Sequence, residues 1–152
     1  MNTLGIRVKP DAVIIAVFDS KQGRILNVEG IRIPKALPTP EGLKYIRNSV
    51  LDVLREYEIK KAGLRIAESN SRTMNIHRIE IEGVIQEAFA SSLLAGYFCG
   101  RISTIAAKVG MPRADFKKYI DGEKNYRSIE NWPMHNQDEK EAILSAVGAV
   151  NA

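Results

Sequence analysis

The sequence predicts an α/β domain, a mixed five-stranded sheet covered by helices. Three observations carry that prediction. Three short apolar segments joined by tight turns open the chain. Two later strand-like segments each follow a long amphipathic stretch, and the last third is helical in pattern. An antiparallel three-strand meander followed by two right-handed strand–helix–strand crossovers closes this order into one sheet.

Each element has its own signal. Residues 4–8 alternate apolar and polar, and Lys9-Pro10-Asp11 turns the chain. Residues 12–18 are nearly continuous apolar, which suits a strand covered on both faces. Residues 19–23 turn again, and 24–34 alternate loosely through Ile25, Val28, Ile31 and Ile33. The first helix is expected to start with Thr39 as N-cap, Pro40 in the first helical position and Glu41 at the positive dipole end. Leu43, Ile46, Val50, Leu51, Val53 and Leu54 follow at helical spacing. Lys61-Ala62-Gly63 is expected to break that helix, and residues 64–67 to form a fourth strand ending at Glu68. After a polar loop at 69–73, a second helix is predicted from about Asn75 to Leu94. It would bury Ile76, Ile79, Ile81, Val84, Ile85, Ala88 and Phe89. Tyr97-Phe98-Cys99 reads as the fifth strand. Ser103 is expected to cap a helix that Gly110 ends, and Pro112 to start another that Gly122 ends. Residues 124–137 read as irregular, and Asp138 opens a last helix to about Val150.

The chain of 152 residues fits a single domain, 1–152, since two independent cores would each be small. Its 45% apolar and 26% charged residues are ordinary globular composition. No run approaches the ~20 apolar residues of a membrane span, and the opening stretch lacks the charged head and apolar body of a secretory signal. The single Cys99 leaves no internal disulfide and no thiolate cluster. His77 and His135 are too few and too distant in sequence for a histidine-based zinc site. A cytoplasmic protein with no membrane partner is the expectation. The net charge of +4 and pI near 9.2 accommodate nucleic acid without requiring it. Between residues 101 and 118 the distribution is more pointed: Arg101, Lys108, Arg113, Lys117 and Lys118 stand against one acid, Asp115. These five are the candidate nucleic-acid-binding residues.

The acids suggest a second kind of site. Glu68 is expected at the C-terminal end of a strand, where open α/β sheets hold their sites. Asp138 and Glu141 lie three residues apart at a helix start and share a face. Three converging carboxylates are the hard oxygen ligands that Mg²⁺ or Mn²⁺ needs for phosphodiester hydrolysis. At these positions the chain resembles the RuvC-like Holliday-junction resolvases of the ribonuclease H-like superfamily. That family carries an Asp in a Gly-Ile-Asp on the first strand, a Glu ending the fourth strand and an Asp-x-x-Asp opening the last helix. Ile66-Ala67-Glu68 is similar to the second element, and Asp138-Glu139-Lys140-Glu141-Ala142 to the third, with Glu for the final Asp. Ile81-Glu82-Gly83-Val84 is similar to the family's helix after the Glu. The resemblance covers nearly the whole chain in element order and implies a ribonuclease H-like fold. It implies Glu68, Asp138 and Glu141 as catalytic, metal-holding residues if hydrolysis survives, with Mg²⁺ or Mn²⁺ as cofactor and otherwise none. A homodimer is implied by the resemblance alone.

The departure is at the first strand, where Gly5-Ile6-Arg7 puts a cation in place of the family's central Asp. At an effective dielectric of 20, a unit charge 4 Å from a divalent ion interacts by roughly 8 kcal/mol, here repulsive. The expectation is that the Arg7 guanidinium fills the metal position and pairs with Glu68 and with Asp138 or Glu141, since its planar fork suits carboxylates. A bland reading leaves Glu68 a loop acid and Asp138 an N-cap.

Residues 102–121 also resemble a helix-turn-helix, with Ile105, Val109, Met111, Phe116 and Tyr119 as a small core and Gly110 as the turn. Its second helix would present Arg113, Lys117 and Lys118 to a duplex. The alternative is scaffold with a solvated charged face. Trp132 and Tyr126 could stack on bases or anchor the irregular segment, Cys99 reads as inert core, and Asp11 and Asp19 sit at turns. Three functions follow. The first is a RuvC-like protein with a degenerate acidic site that binds nucleic acid or a protein partner without hydrolysis. The second is a divergent metal-dependent endonuclease or junction resolvase. The third is a helix-turn-helix DNA-binding protein.

Overall fold

The computed structural model describes residues 1–70, 72–126 and 129–152. Ser71 in the expected polar loop, and Arg127 and Ser128 in the expected irregular segment, lie outside them. Strands β1 (Asn2–Val8), β2 (Ala12–Asp19) and β3 (Arg24–Arg32) form the meander. Helix α1 (Thr39–Glu56), strand β4 (Ile59–Arg65), helix α2 (Ile76–Ala90) and strand β5 (Gly96–Gly100) make the two crossovers. Helices α3 (Ile102–Val109), α4 (Arg113–Ile120) and α5 (Gln137–Ala149) complete the chain, with a 3-10 turn at Trp132–Met134. The sheet runs β3-β2-β1-β4-β5, antiparallel among the first three and parallel across β1, β4 and β5. This is the predicted mixed five-stranded sheet.

Helices cover both faces. Leu4, Ile6, Val8, Val13, Ile15, Val17, Ala62 and Leu64 pack with Ile46, Val50 and Val53 of α1 and Ile81, Ile85 and Phe89 of α2. Ala16 and Phe18 turn the other way into a second core with Ile105, Phe116, Trp132, Ile143 and Leu144. The apolar run of β2 thus serves two layers, as a doubly covered strand must.

Several boundaries differ from expectation. Strand β4 begins at Ile59, so Lys61-Ala62-Gly63 is strand interior and not a helix break. Glu58, at φ 50°, turns the chain between α1 and β4. Gly63 is small for a packing reason: a Cβ there would meet Phe98 and the backbone of Ser145. The strand ends at Arg65, which puts Glu68 three residues beyond it. Pro38, not Thr39, occupies the N-cap of α1, and Arg101, not Ser103, that of α3. Helix α2 stops at Ala90. Its first turn is capped by Asn75, whose Oδ1 accepts from Arg78 N at 2.9 Å. Ile76 and Ile79 are exposed rather than buried, because only from Ile81 onward does α2 lie over the sheet. Helix α5 starts at Gln137 behind an Asn136–Glu139 capping box.

Candidate functional site

The site is built where β1, β4 and α5 meet. Side chains alternate along a strand, so Thr3, Gly5 and Arg7 of β1 face α5 while Leu4, Ile6 and Val8 face the other way. Strand β4 repeats the pattern with Lys61, Gly63 and Arg65. The parallel register sets Thr3 beside Lys61, Gly5 beside Gly63 and Arg7 beside Arg65. The paired glycines make a flat window for the helix. A Cβ at Gly5 would run into the backbone of Ala142 and Ala146, and the window brings α5 against the sheet. Above and below it the polar residues grip the helix. Thr3 Oγ1 donates to Ala146 O at 2.6 Å. Lys61 Nζ donates to the oxygens of Val150 and Ala152 at 3.1 and 2.9 Å, a cation at the negative end of α5.

At the other end of α5, Arg7 and Arg65 stand side by side and share one acid. Arg7 Nε donates to Glu141 Oε2 at 2.7 Å, and Arg65 Nε to Glu141 Oε1 at 3.0 Å. Two neighbouring cations repel; the carboxylate between them offsets that repulsion, with one oxygen for each guanidinium. Asp138, one turn earlier on the same face, lies 3.9 Å from Arg7 Nε and 3.7 Å from Lys9 Nζ. Arg65 is 5% exposed. Burial lowers its guanidinium from the ordinary value, Glu141 opposes that, and Arg7 beside it adds to the lowering.

Glu68 does not join Arg7. Its Oε1 accepts the Ile102 N–H at the start of α3 at 2.9 Å and lies 3.7 Å from Arg65 Nη2. The expected Arg7–Glu68 pair is therefore corrected. Glu68 sits beyond the strand, where a helix N-terminus and Arg65 already supply positive partners, and the Nε of Arg7 is taken by Glu141 of the last helix. Asp138 and Glu141 do share a face and meet Arg7. The segment carrying Glu68 is fixed on both sides: Ala67 N donates to Glu82 Oε1 at 3.0 Å, and Arg101 Nε donates to Ala67 O at 3.0 Å. Glu82 is buried and also accepts from Arg78 Nε at 2.8 Å.

The divalent ion implied by the family resemblance does not fit these residues. Both oxygens of Glu141 are taken by guanidinium groups, and Glu68 is turned toward α3. Among the described residues no three His, Cys, Asp or Glu side chains form a group that could hold a metal ion.

The five basic candidates divide. Arg101 is bound to Ala67, and Lys108 Nζ donates to Asn151 O at 3.0 Å and lies over the Phe98 ring. Arg113, Lys117 and Lys118 are exposed on α4, with Lys118 loosely opposite Asp115 at 3.7 Å. The helix–glycine–helix geometry is present, with Gly110 at φ 76°, but its apolar residues belong to the α5-side core and not to a separate one. Trp132 is buried, with Nε1 donating to Tyr119 O at 3.1 Å, so it anchors its segment. Cys99 is half-buried and its thiol is pushed up to about 11, by burial first and Glu82 second. Asp19 pairs in register with Asn2, at the far end of β1 from Arg7, and accepts from Lys21 and Gln22 in its own turn.

The residues missed from sequence are Arg65, Lys9, Lys61, Arg78 and the role of Glu82. The alternation Lys61, Gly63, Arg65 against Ala62, Leu64 carried the signal for two of them. Reading Gly63 as a helix breaker hides it.

No helix among the described residues is long and apolar enough to cross a membrane. No protein-family profile matches the chain, and no curated protein does. Solved structures do. The chain is similar to Thermus thermophilus RuvC, with a TM-score of 0.74 at 14% identity over 97% of this chain and 92% of that one. It is also similar to T. thermophilus RuvC in complex with Holliday junction substrate, with a TM-score of 0.69 at 14% identity over 97% and 91%. The fowlpox virus Holliday junction resolvase gives 0.50 at 15% identity over 99% and 96%. The fold is accordingly the RuvC-type, ribonuclease H-like α/β fold.

Proposed function

We propose that this chain is a RuvC-like protein that binds nucleic acid without hydrolysing it. One observation carries the reading: Arg7, where the resemblance leads one to expect the family's central Asp, is bonded at 2.7 Å to Glu141, whose second oxygen is held by Arg65. A charge-compensated, doubly hydrogen-bonded carboxylate is a poor ligand for a divalent ion, and the adjacent guanidinium groups repel one. The fold supports a nucleic-acid partner, since one similar structure is RuvC in complex with Holliday junction substrate. Arg113, Lys117 and Lys118 on the exposed face of α4 are the residues that would contact phosphates.

Incubation with branched, duplex and RNA–DNA hybrid substrates in Mg²⁺ and in Mn²⁺ tests the reading. No cleavage is expected, together with binding of at least one substrate. Cleavage that Glu68→Gln abolishes favours the endonuclease alternative and removes this one. If the three α4 cations each neutralise a duplex phosphate, log affinity against log salt should fall with a slope of about −3. A flat salt dependence points to a protein partner instead.

A further inference from the structure

The surroundings of Arg7 have a chemistry of their own. Beside Arg7 lies a cavity of about 240 Å³ whose lining includes Arg7, Lys9 and Arg78, with Asp138 as the acid among its described residues. The cations come from two elements: Arg7 and the adjoining Lys9 from the end of β1, and Arg78 from the first turn of α2, whose N-cap Asn75 also lines the space. We infer that this cavity is a metal-independent binding site for a phosphoryl group.

Three features argue for it. The volume falls below the ~300–1,000 Å³ of pockets for drug-sized molecules, which suits a small anion or one group of a larger ligand. The charged side chains that line the space are three cations and one carboxylate, with Glu141 and Glu82 offsetting two of the cations from behind. Arg7 Nη1 and Arg78 Nη2 are both buried with no hydrogen-bond partner among the described residues. Two guanidinium nitrogens on residues lining one small cavity lack an acceptor. Phosphate oxygens match the planar guanidinium fork once a side-chain shift opens those nitrogens, which are closed to solvent as they stand. The backs of both groups are already fixed, Arg7 by Glu141 and Arg78 by Glu82, so the cations are held in place before any ligand arrives. The source of the phosphate, a nucleic-acid backbone, rests on the proposed function. The site itself stands on Arg7, Lys9 and Arg78.

Asp138 gives a test with opposite signs. In a metal site Asp138→Asn removes a ligand and weakens binding; in a phosphoryl site it removes a like charge and tightens it. Inorganic phosphate is titrated into the full-length protein in EDTA, followed by ¹⁵N–¹H chemical shifts. Saturable shifts are expected at Arg7, Lys9, Asn75 and Arg78. Lys9→Gln, whose side chain is 45% exposed and carries little folding risk, should weaken phosphate about two- to five-fold, the range of an exposed charge pair. Asp138→Asn should tighten it by a similar factor. Absent shifts at these residues, or unchanged or weaker binding in Asp138→Asn, overturns the site. An oligonucleotide that competes for the same resonances identifies the backbone as the source; one that leaves them unmoved while phosphate still shifts them identifies free phosphate. Oligonucleotide binding without cleavage, in a protein that ignores phosphate, removes this site and leaves the proposed function standing. Metal-dependent cleavage in a protein that still takes phosphate does the reverse.

Discussion

On one face of β1 and β4, Leu4, Ile6, Val8, Ala62 and Leu64 enter an apolar core with α1 and α2. On the other face of the same two strands, Thr3, Gly5, Arg7, Lys61, Gly63 and Arg65 meet α5 through bare backbone and charge. The first contact is made of many interchangeable dispersion contacts and depends mainly on volume. The second depends on a few directional ones, and α5 lies close enough to leave no room for a Cβ at Gly5. That contrast explains where chemistry can reside: the apolar face has no group to offer a ligand, whereas the α5 face ends in Arg7, Arg65, Asp138 and Glu141.

Breaking the polar face should cost most. Arg65→Ala leaves Glu141 with half its partners in a buried setting, and the loss expected is about 3–5 kcal/mol by urea denaturation. Removing all three charges, Arg7→Met/Arg65→Met/Glu141→Leu, should recover much of it, whereas replacing only Arg65 and Glu141 strands Arg7 without its partner. If Arg65→Ala alone proves nearly neutral, the pair is ornamental and the contrast between the faces fails.

Gly5→Ala comes next. Overpacking typically costs about 1–3 kcal/mol, and here the obstacle is helix backbone, which cannot rotate aside as a side chain can. Ile6→Val, the neighbouring residue on the apolar face, should cost only about 0.5–1.5 kcal/mol. Equal losses at the two positions would mean that α5 sits less tightly than its contacts indicate.

The smallest effect at neutral pH concerns Cys99, packed against the α1–α2 core. Its folded thiol is raised from 9.0 to about 11, so the folded state holds the proton more firmly than the unfolded chain does. The stability this contributes is complete below pH 9 and is lost as pH rises through the window from 9 to about 11. Alkylation by iodoacetamide at pH 8, followed by mass spectrometry, should be slow in native protein and fast in urea. Rapid native labelling would place the thiol in a looser environment.

Much of the architecture was legible in the residues. Period-two apolar patterns announce β1 and β3, a nearly continuous apolar run announces β2, and Pro40, Gly110 and Pro112 mark helix ends within a residue or two. Helix–strand alternation indicated the two parallel crossovers. The departure of Arg7 from the resembled Gly-Ile-Asp was visible because it fell in a short motif, and the shared face of Asp138 and Glu141 followed from helical spacing. Gly63 misled, since a glycine that admits a helix backbone reads the same as one that ends a helix. Ile76 and Ile79 misled as well, because periodicity marks a face of α2 without saying where along its length the sheet begins.

Local pattern by itself determined the elements, their order and the two acids on α5, because those depend on neighbours three or four residues away. Which acid each arginine holds was decided only by tertiary structure. The parallel register of β1 and β4 sets Arg7 beside Arg65, and the Gly5–Gly63 window brings α5 down until Glu141 lies between them. Glu68 was diverted to α3 by the same assembly. Those partners lie 34 to 134 residues apart in the chain, a separation over which no sequence periodicity carries information.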